Sequence, residues 1–237
     1  MNNKQISISI ILPIFNEIKS LEFVINSWHS YFSKKNIIHT FLLCEDGSTD
    51  GTKEIIPSLI KIYPCKNLST IRRRGYGAAV LEGISNATTS HILCIDSDGQ
   101  CLPDSFDSFL KEISKCDLLI GNRKPRMDPA IRIIYSKLFH FFFRLLFKTA
   151  ISDPSCPYVF GKKEVFLKLK NYLKFMREGF WWGFVGACIK LNINIKELKI
   201  KHFRRKDGSS VVYKPSKMPA IIFRNILGLI KLKNASN

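Results

Sequence analysis

Two carboxylates, Asp96 and Asp98, stand one residue apart where the apolar run His91-Ile92-Leu93-Cys94-Ile95 ends, and Gly99 and Gln100 follow them. A buried strand that runs out into two acids, a glycine and an amide is poor packing material and good material for holding charge. At the C-terminal end of a strand, carboxylates at i and i+2 can both reach a divalent ion, directly or through water. Hard oxygen ligands suit Mg2+ or Mn2+, and such an ion would bridge the phosphates of a substrate. Asp-Ser-Asp-Gly is also good turn chemistry, so the triplet alone leaves a metal site and a solvated turn both open.

Two further stretches combine charge with chain-reversal residues. Glu45 and Asp46 follow Phe41-Leu42-Leu43-Cys44 and open the loop to Thr52. Asp46 could accept hydrogen bonds from a nucleobase edge, whereas Ser48 and Asp50 suit shaping the turn and capping the next helix. Arg72-Arg73-Arg74 then precede Gly75-Tyr76-Gly77. Glycines there allow close backbone approach, and a helix beginning at that point favours an anion.

Alternating strands and helices would position these loops. Residues 6–14 and 39–44 read as strands, 68–71 as a short one, 91–95 as a fourth and 117–121 as a fifth. Helices are expected at 18–32, 54–62, from 75 to 84, and at about 104–115. That alternation predicts an α/β fold with right-handed crossovers and a mostly parallel sheet, helices on both faces. Ligands of such sheets bind beyond the carboxyl ends of the strands, where each of the unusual loops falls. After residue 121 the pattern loosens: a long apolar helix at 130–149, a strand at 193–201, a basic loop at 203–214 and an amphipathic stretch at 218–233. No repeat or linker divides the chain, so a single domain over 1–237 is expected, with functional halves at about 1–124 and 125–237.

Hydrophobic residues form 46% of the 237, ample for a core and incompatible with disorder. The seven cysteines include no C-x-x-C pair, and reduced core thiols explain them better than disulfides or zinc. The apolar run near the N terminus is too short and too β-branched for a signal peptide, and no stretch has the ~20 apolar residues of a membrane span. These features predict a cytoplasmic protein. Charge is distributed unevenly: residues 1–120 carry 12 Lys/Arg and 13 Asp/Glu, while 121–237 carry 25 and 6, a net of +19. The second half is expected to face something anionic.

The order of the charged pieces is more specific than any one of them. Ser9–Glu17, Glu45–Thr52, Arg72–Ile84, Asp96–Asp104, Gly121–Lys124 and Arg204–Ser210 occur with the spacing of a known family. The chain resembles the family 2 glycosyltransferases of Rossmann-like GT-A fold, most of all the polyprenyl-phosphate glycosyltransferase branch that includes dolichyl-phosphate mannose synthase. The resemblance implies a nucleotide-diphosphate sugar donor, a divalent metal cofactor (Mg2+ or Mn2+) and a polyprenyl-phosphate acceptor. It assigns Pro13, Phe15, Glu17, Asp46 and Arg74 to the nucleotide pocket, with Phe15 where tyrosine is common. Asp96 and Asp98, assisted by Gln100, would hold the metal. Arg123 matches a phosphate-region arginine, and Arg205, Gly208 and Ser210 match an R-x-x-G-x-S loop that closes over the donor. A structural or surface role suits His202, which precedes that loop, better than a catalytic one.

Two departures from the family pattern bear on chemistry. Val159 stands where related enzymes often carry arginine, and Gly183 where they carry an acid; Glu178 lies nearby without aligning. A sugar-hydroxyl acceptor needs a general base at such a position. A phosphate monoester, with its second pKa near ~6, is already a nucleophilic anion at neutral pH. Loss of the acid therefore points to a lipid-phosphate acceptor or to a non-catalytic homologue. A soluble enzyme acting on a glycan hydroxyl is the alternative.

Within 131–150, Arg132, Ser136, His140, Arg144 and Lys148 recur every four residues among Phe139, Phe142, Phe143, Leu146 and Phe147. This pattern predicts a helix lying in the plane of an anionic membrane surface, basic residues to headgroups and aromatics to acyl chains. A buried helix covering the sheet is the competing expectation. Nucleic acid is disfavoured as partner, because the sequence holds no recognisable module for it and its basic residues interleave with apolar ones. The oligomeric state is not specified.

Overall fold

The computed structural model describes residues 6–128, 130–173, 176, 179–205 and 218–235. The β-branched run near the N terminus forms β1 (Ser7–Ile14), buried from Ile8 onward, as befits the centre of a parallel sheet. It pairs in parallel with β2 (Ile38–Glu45) on one side and β4 (His91–Cys94) on the other. With β3 (Cys65–Asn67), β5 (Leu118–Arg123), β6 (Val159–Lys162) and β7 (Ile195–Ile200), the sheet has seven strands in the order β3-β2-β1-β4-β6-β5-β7. Among the described strands only β6 runs against its neighbours, so β4 and β5 point the same way. The α/β class and mostly parallel sheet are those the sequence predicts.

The helices are α1 (Leu21–Lys34), α2 (Thr52–Ile62), α3 (Tyr76–Asn86), α4 (Phe106–Glu112), α5 (Ala130–Phe147), α6 (Lys163–Leu173), α7 (Phe180–Lys190) and α8 (Met218–Asn234). Helix α1 shows why they form: Leu21, Val24, Ile25, Trp28 and Phe32 lie at helical spacing and are all buried. Alternate residues of β1 serve opposite cores. Ile8, Ile10 and Leu12 pack with α1 and α4, and Ile11 packs with Val80 of α3, Phe166 of α6 and Phe184 of α7.

Several expected boundaries move. The third strand lies at Cys65–Asn67 and not at 68–71, because those residues pair with Phe41–Leu43. Beyond it only an isolated bridge joins Thr70 to Asp46. The helix expected at 104–115 is a 3-10 turn at Pro103–Ser105, then α4, then a second 3-10 turn at Ile113–Lys115. Strand β6 and helices α6 and α7 have no counterpart among the expectations. All seven cysteines are free thiols, six of them buried.

Helix α5 divides differently from its four-residue polar stripe. Ser136 accepts a hydrogen bond from Arg126 Nη1 at 2.8 Å, and His140 Nε2 lies 2.8 Å from the Ile151 carbonyl. Phe143 and Phe147, expected toward lipid, are buried, Phe143 with its ring 5.3 Å from that of Trp182. The outer face is instead apolar, Ile134, Leu138, Phe141 and Leu145, at one-turn spacing and flanked by exposed Lys137, Arg144 and Lys148. Phe223, Leu227 and Ile230 form a similar exposed stripe on α8. Among the described residues no helix is long and apolar enough to cross a membrane.

Candidate active site

Strand order reverses between β1 and β4: the chain proceeds outward from β1 to β2 and β3, then returns to place β4 on the other side. In open α/β sheets the crevice beyond such a switch point is where ligands bind. Phe15 and Glu17 follow β1, Asp96 and Asp98 follow β4, and the segment 201–205 follows β7 at the same end of the sheet.

Hydrogen bonds between these loops build the crevice. Ser97 Oγ donates to the Pro13 carbonyl at 2.8 Å, and Ser20 Oγ donates to the Ser97 carbonyl at 2.9 Å. Pro13 lies beyond the β1–β4 ladder, which ends at Ile11 and Cys94, so its missing N–H breaks no ladder bond. Asn16, at φ 58°, receives the Thr49 N–H on Oδ1 at 2.8 Å and gives its own N–H to Ser48 Oγ at 2.9 Å. The sequence signal for this clasp was an Asx-type residue between a buried strand and a helix.

Glu17 and Arg205 meet in this crevice although 188 residues separate them. Arg205 Nη2 donates to Glu17 Oε1, and Nη1 lies 3.9 Å from Asp98 Oδ2. Burial pushes the Glu17 carboxyl above its usual range, opposed foremost by the Arg205 guanidinium. Asp98 Oδ1 accepts the Gln100 N–H at 3.0 Å. The Gln100 side-chain nitrogen donates to the Phe203 carbonyl at 3.1 Å, and the Phe203 N–H donates to the Gln100 carbonyl at 3.0 Å. Gln100 thus fastens the segment that carries Arg205, and its Oε1 is the side-chain atom suited to a metal.

Asp96 has a partner that sequence reasoning missed. The Tyr76 hydroxyl donates to Asp96 Oδ1 at 2.7 Å, and Trp181 Nε1 donates to the Tyr76 oxygen at 2.8 Å. Asp96, Asp98 and Gln100 offer a purely oxygen donor set, which fits a hard divalent ion completed by substrate phosphates and water. Among the described residues no group of three His, Cys, Asp or Glu side chains converges as a protein-only metal site.

Asp46 and the arginines take positions of their own. Both carboxylate oxygens of Asp46 accept backbone N–H groups, Arg74 on Oδ1 and Gly75 on Oδ2, each at 2.7 Å. The amides that lead into α3, where the sequence predicts that an anion is favoured, are thereby taken up by the protein's own carboxylate. Asp46 is 3% exposed and shapes the arginine loop; a nucleobase would have to share its remaining lone pairs. Gly47, at φ +80°, is needed here, since a Cβ on it would lie 2.9 Å from the Arg73 backbone nitrogen. Arg73 stacks on Phe15 with its guanidinium carbon 3.7 Å from the ring centre. Arg74 turns along α3, its Nη1 3.4 Å from Glu82 Oε2.

Arg123 sits at the end of β5, 7% exposed, with two prongs on Asp153. His202 is also buried, its Nδ1 accepting the Met127 N–H at 3.1 Å, consistent with the structural role expected of it. Val159 is fully buried opposite Cys94 and Ile120 and brings no charge to this end of the sheet. A Cβ on Gly183 would lie 2.1 Å from Met176 Cγ, so an acid there would displace that side chain. Gly208, Ser210 and Glu178 lie outside the described residues.

The sequence and the fold both have counterparts among known proteins. The family described as glycosyl transferase family 2 matches residues 9–170. A dolichyl-phosphate beta-glucosyltransferase from Dictyostelium discoideum is 26% identical, covering 97% of this chain and 78% of its own length. An undecaprenyl-phosphate 4-deoxy-4-formamido-L-arabinose transferase from Pseudomonas fluorescens is 25% identical over 63% of this chain, which spans only 45% of that protein. Among solved structures, glucosyl-3-phosphoglycerate synthase from Mycobacterium tuberculosis, in complex with Mn2+, uridine diphosphate and phosphoglyceric acid, shares the fold. Its TM-score is 0.69 at 15% identity, with 98% of this chain and 80% of that one covered.

Proposed function

The chain belongs to glycosyl transferase family 2, and from that premise we propose that it transfers a sugar from a nucleotide-diphosphate donor to a polyprenyl phosphate. The reading rests on the meeting of Glu17, Asp98 and Arg205 at the switch point of the sheet, where Asp96 also leaves β4. It is supported by relatives whose names carry dolichyl and undecaprenyl phosphate.

Asp96, Asp98 and Gln100 would hold Mg2+ or Mn2+, which supplies charge neutralisation on the donor diphosphate. Phe15, under Arg73, offers a stacking face for the base, and Asp46 fixes the loop that encloses it. Arg205 exchanges Glu17 and Asp98 for the donor phosphates, a planar donor suited to oxyanions. A phosphate oxygen of the acceptor then attacks the anomeric carbon from the face opposite the diphosphate. The carbon–oxygen bond to the leaving group breaks, the nucleoside diphosphate departs with the electron pair, and configuration inverts. No general base is required, because the acceptor is already ionised. This accommodates Gly183, where an acid would have to displace the Met176 side chain. Stabilisation of charge developing on the leaving diphosphate is the main catalytic contribution.

The exposed apolar stripe of α5 with Lys137, Arg144 and Lys148 suits peripheral docking on an anionic membrane, which would bring a lipid acceptor to the site. Free thiols and a sugar-nucleotide donor accord with the cytoplasmic side.

Incubation with Mn2+, farnesyl phosphate and a panel of uridine- and guanosine-diphosphate sugars tests the proposal by mass spectrometry of the lipid fraction. The expected product is a farnesyl-phosphate glycoside. Transfer confined to hydroxyl acceptors, or donor binding with no transfer, would overturn it.

A further inference from the structure

Tyr76 is the first residue of α3, and its hydroxyl lies between a donor and an acceptor from two other parts of the fold. An indole nitrogen can only donate. Trp181 Nε1 therefore fills an acceptor position on the phenol oxygen, and the phenol proton goes to Asp96 Oδ1. The direction of this chain, Trp181 to Tyr76 to Asp96, follows from the chemistry of the groups.

The support behind Tyr76 is close packed. A Cβ on Gly77 would come within 3.0 Å of the Phe180 ring, so the start of α3 lies directly on the start of α7. Tyr76 and Trp181 also meet edge to face, ring centres 6.5 Å apart. Helix α7 belongs to the half of the chain in which the sequence pattern called for an acid. It supplies an indole N–H instead, which reaches Asp96 through one phenol.

We infer that Tyr76, held by Trp181, is a positioning residue that fixes the orientation of the Asp96 carboxylate for the divalent ion of the sugar-nucleotide complex. The inference rests on the proposed metal-dependent transfer. Carboxylates that bind metals are themselves oriented by hydrogen bonds, and loss of such an outer partner typically lowers metal affinity by about 10- to 100-fold. An ordinary structural hydrogen bond would affect folding stability and leave metal affinity unchanged.

Mn2+ binding to the full chain, followed by the electron paramagnetic resonance signal of the unbound ion with saturating UDP and again with GDP, separates the two roles. Tyr76→Phe keeps the ring and deletes only the hydroxyl, and is expected to raise the apparent Mn2+ dissociation constant by about ten-fold. Trp181→Phe is expected to raise it by a smaller factor, with the double variant no weaker than Tyr76→Phe alone. Wild-type Mn2+ affinity in Tyr76→Phe would overturn the inference while leaving the proposed function standing. Should Tyr76→Phe not fold, Trp181→Phe decides, and unchanged affinity there overturns it equally. A wild-type protein that binds no Mn2+ with either nucleotide would overturn both the inference and the metal-dependent reading beneath it.

Discussion

Arg123 and Asp153 form a buried two-pronged ion pair, with Nε 2.7 Å from Oδ2 and Nη2 2.8 Å from Oδ1. Ser155 Oγ accepts from Nη2 at 2.8 Å, and the Asp153 N–H donates to Glu197 Oε1 at 2.7 Å. Removing one member of such a pair leaves a buried charge without its partner, at a cost of about 3–5 kcal/mol. Asp153→Ala is therefore expected to lower the unfolding free energy in urea by that amount. Asp153→Leu with Arg123→Leu is expected to lose less than the two single changes combined. An Asp153→Ala protein as stable as wild type would refute the structural role.

That pair also shows where sequence reading reached its limit. Arg123 stood out only through the family resemblance, as a phosphate-region arginine, and its partner comes 30 residues later from a segment with no periodicity. The first half of the fold was legible because β1, β2 and β4 are long or sharply bounded and α1 repeats its apolar positions faithfully. Strand β6 was not. Its four residues, Val-Phe-Gly-Lys, owe their conformation to insertion between β4 and β5, a tertiary effect that no local alternation announces. Helix α7 is buried along nearly its whole length and so lacks an amphipathic signature. The acids of the site were readable as charge at strand ends, whereas the Trp181–Tyr76 support was not, since aromatic residues in apolar runs read as core.

Asp98 lies within ion-pair reach of Arg205 and is one of the two carboxylates proposed for the metal. Mn2+ with UDP at 100 times its dissociation constant is expected to stabilise the wild-type protein by about 2.7 kcal/mol through mass action. Asp98→Asn should remove the Mn2+-dependent part of the thermal shift. A shift of wild-type size in that variant would exclude Asp98 as a ligand.

Gly183 is a packing glycine. Replacing it by alanine gains roughly 1 kcal/mol of helix propensity, but the new Cβ falls 2.1 Å from Met176 Cγ. Overpacking of this kind costs about 1–3 kcal/mol, and at a separation so short its upper part wins. Gly183→Ala is expected to be destabilised in denaturant titration, and Met176→Ala added to it should recover part of the loss. A Gly183→Ala protein more stable than wild type would show that Met176 moves aside at little cost.

Lys137 and Arg144 flank the exposed Leu138 and Phe141 of α5. Each basic residue near an anionic surface contributes about 1 kcal/mol. Lys137→Glu with Arg144→Glu removes two such attractions and adds repulsion, so partitioning onto phosphatidylglycerol vesicles should fall by at least ~30-fold in sedimentation assays. Phe141→Ser should weaken binding with less dependence on salt. Vesicle binding unaltered by all three changes would place the membrane contact elsewhere.

His202 gives the protein an acid-sensitive element with a definite sign. Burial first, then the Arg123 guanidinium and with it Arg126, lower its pKa from 6.5 to about 4 against the opposition of Asp128 and Asp153. The neutral ring, accepting the Met127 N–H on Nδ1, is the native form, and protonation would remove that acceptor. Between pH 6.5 and about 4 the unfolded chain binds a proton at this residue that the folded chain refuses, so stability rises with pH across the interval. The contribution is complete above pH 6.5 and is lost as pH falls through about 4. His202→Asn retains a side-chain acceptor and does not titrate. Its unfolding free energy, measured from pH 4 to 7, should therefore rise less steeply than that of wild type. Parallel curves for the two proteins would mean that His202 takes up its proton in the folded state as readily as in the unfolded one.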